Sequence, residues 1–228
     1  MFHKLGEGKT VMDRPDVTMM LVAHNAFRRD LARMQAAASR VDDPATRKAL
    51  RAGWARFSQY LTIHHVAEDH TLWPPMRAKL RDRIDETRLL DAMADEHSQL
   101  DPVLHDIDDN LTQGSAPRLV VLFGDLADLL AGHLEHEEAD ALPLVRETLT
   151  AAEWKAFGDD QRRRVGVSGA GWFFPWLLDG TSPDVQATVL AIVPAPLRLV
   201  YRLIWEPRYR RRSPWHLTPS NPLVQEDS

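Results

Sequence analysis

Residues 90–111 read LDAMADEHSQLDPVLHDIDDNL, and their pattern decides the fold class. Large apolar side chains recur after three and four residues in turn, and His97 occupies one position of the series. The series consists of Leu90, Met93, His97, Leu100, Leu104, Ile107 and Leu111. This spacing follows the period of an α-helix and puts all of these side chains on one face. The segment is therefore predicted to be an amphipathic helix with His97 on its buried face and a local kink at Pro102.

Three further segments before residue 150 carry helical spacing, and none alternates with the period of two that a strand requires. They run over residues 13–40, 43–75 and 115–143. Asp43 and Pro44 are typical of a helix start, whereas Pro74 and Pro75 are expected to end or kink the second helix. Four amphipathic helices with short connections predict an all-α fold, an antiparallel up-and-down four-helix bundle.

The remainder of the chain differs from this body in composition. Residues 172–178 read WFFPWLL, an aromatic cluster that must be buried against something. We therefore expect two parts: a bundle over residues 14–145, and a helical C-terminal extension over 146–228 that packs on it. The end of the extension, from Arg208 onward, is basic and then proline-rich and is expected to fray.

Composition and charge exclude several classes of function. The 228 residues include no cysteine, which rules out disulfides and thiolate chemistry and favours a cytoplasmic location. A net charge of −5 disfavours nucleic-acid binding, and no apolar run is long enough for stable insertion into a membrane. The charge is uneven, at −7 for residues 1–150 and +2 for residues 151–228.

Each of the four predicted helices carries one histidine in its apolar seam, and two of these histidines have a glutamate four residues later. The resulting set is His24, His64, Glu68, His97, His133 and Glu137. Residues four apart lie side by side on one helix face, so each pair presents a nitrogen and an oxygen to the interior. The two pairs also belong to a repeat, since residues 64–74 read HHVAEDHTLWP and residues 133–143 read HLEHEEADALP.

This set of buried polar groups predicts a metal centre. Imidazoles and carboxylates without partners would each cost of order 1–3 kcal/mol, and metal ions remove that cost. Nitrogen and oxygen ligands without sulfur suit iron, manganese or zinc, and six side chains exceed what one tetrahedral zinc can use. Two metals with bridging carboxylates would leave about two open positions for a small ligand. The alternative is a structural polar core that binds adventitious zinc.

The order His, His-x-x-x-Glu, His, His-x-x-x-Glu resembles the hemerythrin-like (HHE cation-binding) proteins. The resemblance covers roughly residues 14–145 and implies two non-haem iron ions, bridged by carboxylates and by an oxo or hydroxo group. It would make the six residues named above the iron ligands. The extension, with residues 174–180 reading FPWLLDG, is similar to that of hemerythrin-like proteins from actinobacteria.

The ligand pattern departs from that of the oxygen-carrying hemerythrins. In those proteins the third helix supplies two histidines four apart, whereas here Asp101 follows His97 by four residues. One nitrogen ligand is therefore missing or replaced, which disfavours simple reversible oxygen carriage. Tyr60, four residues before His64, can take that place as a phenolate or contact a bound peroxide; the alternative is a core tyrosine. His65 and His70 are expected to point away from the ligand stripe.

Other polar side chains are candidates for outer partners of the ligand histidines. Asp69, Glu138 and His136 are expected to hydrogen-bond the histidine nitrogens that face away from the metal.

Two functions follow from this interpretation. The first is an oxidoreductase that detoxifies hydrogen peroxide, nitric oxide or both, with Tyr60 tuning the ferric state. The second is a module that binds or senses oxygen or iron without turnover and uses the C-terminal extension as its reporter. In both cases the partner is a small molecule such as O2, H2O2 or NO.

Overall fold

The computed structural model describes residues 14–217, and every regular element within that range is a helix. The helices are α1 (Thr18–Ala38), α2 (Pro44–Ala67), α3 (Trp73–Leu80), α4 (Ile84–Gln113), α5 (Ala116–His136), α6 (Leu142–Thr148), α7 (Ala151–Leu178), α8 (Pro183–Ile192), α9 (Ala195–Val200), α10 (Glu206–Arg212) and α11 (Pro214–Leu217). Three π-helical turns join some of them: Glu68–Leu72, Glu137–Ala141 and Tyr201–Trp205. The prediction of an all-α protein is confirmed.

Local sequence signals explain where two of these helices begin. The Asp43 side chain accepts a hydrogen bond from the backbone N–H of Thr46 at 2.8 Å, as its position before Pro44 predicted. Thr150 and Glu153 form a capping box at the start of α7. Both caps satisfy backbone donors that the first turn of a helix leaves without partners.

Of the end or kink predicted at Pro74 and Pro75, the end is wrong, because the chain stays helical through both prolines. The π-helical turn Glu68–Leu72 leads directly into α3, and the backbone N–H of Trp73 bonds to the carbonyl of Glu68, five residues earlier. The prolines then fall in the first turn of α3, where a missing N–H costs little. Pro143 follows the second π-helical turn in the same way.

Helices α1, α2, α4 and α5 contact one another in a closed cycle, since α1 and α4 each lie against both α2 and α5. Buried apolar side chains form two clusters along them. One cluster includes Leu61 on α2 and Leu100 on α4, and the other includes Ala67 on α2 and Met93 on α4. The segments between these residues separate the two clusters. The histidines lie between the two clusters, so apolar layers on both sides keep water from the polar residues.

The C-terminal extension packs on α1 and α2. Trp176 is 1% exposed and donates its indole N–H to Asp30 at 2.8 Å. Its ring centroid lies 5.2 Å from that of Phe27 and 4.7 Å from that of Tyr60. Within α7, Gly166 adopts φ 72°, a conformation that favours glycine and kinks the helix. Fraying was expected from residue 208, but the chain is helical as far as 217; the rest of that stretch, 218–228, lies outside the described residues.

Candidate metal centre

Four histidines, one each from α1, α2, α4 and α5, meet in the layer between the apolar clusters. His24 on α1, His64 on α2, His97 on α4 and His133 on α5 are all at most 6% exposed. The Nε2 atoms of His24 and His64 lie 3.1 Å apart, and the rings of His97 and His133 lie 4.7 Å apart between centroids. The helical spacing correctly predicted that these four imidazoles face the interior together.

Both glutamates of the predicted set enter the same layer from the first residue of a π-helical turn. Glu68 and Glu137 are fully buried. Glu68 Oε1 lies 3.1 Å from Nε2 of His64, and its Oε2 lies 3.4 Å from Nε2 of His97. Glu137 Oε2 lies 3.1 Å from Nε2 of His24. The Glu68 carboxylate therefore faces histidines of two different helices, as a bridging ligand would.

Several polar atoms of this layer have no hydrogen-bond partner among the described residues. They are Nε2 of His65, His97 and His133 and both carboxylate oxygens of Glu68 and of Glu137. Buried polar atoms are nearly always paired, and each exception carries a desolvation cost of about 1–3 kcal/mol. A cation placed among them would supply the missing partner, so the unpaired atoms fit a metal ion.

The donor atoms form two groups whose members lie within 4.8 Å of one another. One group consists of His24, His64, Glu68 and Glu137, and the other of His65, His97 and His133. Because Glu68 also approaches His97, the two groups adjoin. This arrangement is compatible with metal binding in each group.

His65 is the residue that the sequence interpretation missed. It was expected to point away from the ligand stripe, but it is 7% exposed and its ring stacks on that of His97 at 4.1 Å. Helix α2 faces α1 on one side and α4 on the other, so the inward sector admits two consecutive residues about 100° apart. The sequence signal that could have indicated burial of His65 is the apolar Leu61 one helical turn earlier, which is itself buried. His70, in contrast, is exposed as expected.

In three of the histidines, the ring nitrogen that faces away from the layer donates its N–H to a carboxylate on a neighbouring segment. Nδ1 of His24 donates to Glu138 at 2.8 Å, and Nδ1 of His97 donates to Asp69 at 3.0 Å. Such bonds leave Nε2 as the nitrogen that faces inward and orient the ring for a metal. The pairing of Asp69 and Glu138 with outer nitrogens agrees with the sequence prediction.

The third outer carboxylate, Glu96, was not predicted. It accepts from Nδ1 of His133 at 2.9 Å and from Nδ1 of His136 at 2.7 Å, so His136 shares this carboxylate and does not contact a ligand nitrogen itself. Glu96 immediately precedes His97 in the sequence but serves a histidine on the next helix. Only the packing of α4 against α5 reveals that role.

The pKa values of the two glutamates shift in opposite directions. Burial alone would lower the pKa of His24, but the adjacent carboxylates of Glu137 and Glu138 raise it to about 9. Burial alone would likewise raise the pKa of Glu137, but the positive charge of His24 lowers it to about 2. A protonated His24 therefore compensates Glu137 in the metal-free protein, and a metal ion would have to displace that proton.

The other glutamate has no such compensation. Burial and the negative charge of Glu137 raise the pKa of Glu68 well above its usual value. Burial lowers the pKa values of His64, His65 and His133, which keeps these imidazoles neutral. Neutral imidazole is the form that binds metal ions.

Tyr60 lies one helical turn before His64, and its ring contacts Phe173 at 5.2 Å in addition to Trp176. Burial raises its pKa to about 12, so the phenol is protonated near neutral pH in the metal-free protein. These contacts place the ring against the C-terminal extension.

Comparison with known proteins agrees with this geometry. A family model described as the hemerythrin HHE cation binding domain matches residues 16–145. The chain belongs to this family, whose domains bind metal ions, typically iron, and small ligands such as O2. No curated protein and no solved structure matches the chain significantly.

Proposed function

We propose that the chain is a non-haem di-iron protein that consumes hydrogen peroxide, nitric oxide or both. The observation that carries the proposal is the convergence of unpaired Nε2 atoms and buried glutamates in one dry layer of the helices. In this proposal α1, α2, α4 and α5 form an antiparallel up-and-down bundle. The metal ligands are His24, His64, Glu68, His97, His133 and Glu137, with His65 as a seventh.

The protein's own groups have distinct tasks in this reaction. The imidazoles, together with Glu68 and Glu137, would hold the ions. Asp69, Glu96 and Glu138 hold the outer N–H groups and so fix the ring orientations. Iron, when bound, would supply the change of valence that reduces peroxide to water, and the electrons would be returned by a second peroxide, oxidised to O2, or by nitric oxide, oxidised to nitrite. The two apolar clusters exclude water, which limits unwanted proton and electron leakage.

The test is turnover by protein loaded with two irons per chain. We expect many cycles of peroxide consumption, alone or with nitric oxide, and loss of that activity in His97→Ala and Glu137→Gln. His105→Ala is the matched control, because His105 lies on the same helix and its side chain is 76% exposed. Substoichiometric and variable metal, with zinc as good as iron, would instead identify a structural polar core.

Tyr60 is proposed to tune the ferric state as a phenolate ligand. A ferric ion would have to displace the phenol proton, which the raised pKa opposes. A visible charge-transfer band in the ferric protein that disappears in Tyr60→Phe supports the assignment, and an unchanged spectrum overturns it.

A sensing or storage function is the second candidate, and the packing of the extension favours it. The Trp176 ring contacts Phe27, whose ring lies 5.4 Å from that of His64, so the extension is two ring contacts from the metal layer. Stoichiometric binding without turnover, together with altered protease cleavage near Gly166 on metal removal, would establish this function. Unchanged cleavage would argue against it.

A further inference from the structure

The C-terminal extension carries a group of exposed large apolar side chains on α8, on α9 and on the π-helical turn that follows α9. Large apolar side chains there remain 42–67% exposed over residues 192–204. We call them the apolar strip: Ile192, Leu197, Leu199, Leu203 and Ile204. Elsewhere among the described residues, large exposed apolar side chains are scattered along other helices. An apolar group of this kind usually marks an interaction surface.

The helix that carries most of the strip is apolar on its inner side as well. From Ala195 to Arg212 the chain is helical without a break, through the π-helical turn Tyr201–Trp205. Tyr201 and Tyr209 are buried, and the Trp205 ring stacks on Phe174 at 6.4 Å. A surface helix normally presents polar residues to solvent, so the exposed Leu199, Leu203 and Ile204 on this helix call for a partner.

The charge around the strip indicates the chemistry of that partner. Residues 195–212 contain six arginines and one glutamate, and Arg202, Arg208 and Arg210–Arg212 are exposed. A second copy related by a two-fold axis would bring these arginines against one another. Nucleic acid would satisfy the arginines but offers little apolar area for leucine and isoleucine. A surface that is both anionic and apolar satisfies both features.

We propose that this face binds the surface of a membrane that contains anionic lipids. The apolar strip would enter the boundary between headgroups and acyl chains while the arginines contact lipid phosphates. Among the helices of residues 14–217, none is long and apolar enough to cross a membrane. Residues 1–150 carry a net charge of −7, which repels the rest of the molecule from the same surface and orients the extension toward it.

The experiment is cosedimentation of the full chain with vesicles of phosphatidylcholine alone or with about one third phosphatidylglycerol, at low and high salt. We expect binding only to the anionic vesicles, lost at high salt. We expect it to weaken about tenfold or more in Leu199→Ser/Leu203→Ser and in Arg211→Gln/Arg212→Gln. The matched control is Val120→Ser/Val121→Ser, which changes two apolar side chains on α5 that are 43% and 52% exposed.

Three results would overturn the proposal. The first is absence of binding to the anionic vesicles. The second is equal binding by the strip variant and the control, with all variants folded by circular dichroism. The third is a concentration-dependent dimer in sedimentation velocity that the strip variant abolishes, which would identify a second copy as the partner.

Discussion

Replacement of Glu68 by glutamine should stabilise the metal-free protein while it abolishes metal binding. The Glu68 carboxylate is fully buried, neither of its oxygens has a hydrogen-bond partner among residues 14–217, and Glu137 lies nearby. Glutamine has nearly the same shape and no charge. The substitution therefore removes an uncompensated buried acid and leaves the packing intact.

The sign and size of the effect follow from linkage. Because the pKa of Glu68 is raised, the folded metal-free protein holds its proton more tightly than the unfolded chain does. Its contribution to stability therefore falls as pH rises above the ordinary glutamate value. At neutral pH the substitution should recover about 1–3 kcal/mol, the cost of keeping a buried carboxyl protonated above its ordinary pKa, because the amide needs no proton at that pH. At about 2–4 °C per kcal/mol, Tm should rise by roughly 2–12 °C.

The assay is thermal unfolding of chelator-treated wild type, Glu68→Gln and the exposed control Glu135→Gln, each repeated with ferrous iron under anaerobic conditions. Iron should raise the Tm of wild type and of the control but not that of Glu68→Gln, so the order of stability reverses on loading. A metal-free Glu68→Gln protein less stable than wild type by more than about 1 kcal/mol would refute the reasoning, since Glu68 would then have a satisfied structural role.

Three further predictions concern the surroundings of the site. Asp69→Ala should weaken metal binding about 10–100-fold in competition with a chelator, because His97 loses the acceptor of its outer N–H; unchanged affinity would contradict this. Asp30→Ala should lower the free energy of unfolding by about 2–4 kcal/mol, because the Trp176 indole and two arginines lose a buried partner. Chemical denaturation measures this loss, and a value below about 0.5 kcal/mol would be inconsistent with the prediction. In the metal-free protein, His24 should contribute stability that is complete below pH 6.5 and lost as pH rises through about 9. The measurement is denaturation of wild type and His24→Gln over this pH range. If wild type shows no such loss relative to His24→Gln, coupling of His24 to Glu137 is excluded.

The sequence by itself determined the helical class, the family and the inward direction of six candidate ligands. These features depend on local periodicity, since a histidine seven residues from a buried leucine shares its helix face wherever the helix packs. The glutamates at i+4 follow from the same rule. Even Asp69 and Glu138 could be anticipated, because each adjoins a candidate ligand.

Tertiary structure decided which neighbour each helix face meets. His65 is buried because α2 is flanked by both α1 and α4, and Glu96 serves His133 because α4 packs against α5. Periodicity describes one helix at a time and carries no information about the width of its buried sector or the partner across it. Periodicity likewise gave no sign of the π-helical turns, after which the chain remains helical through Pro74 and Pro143.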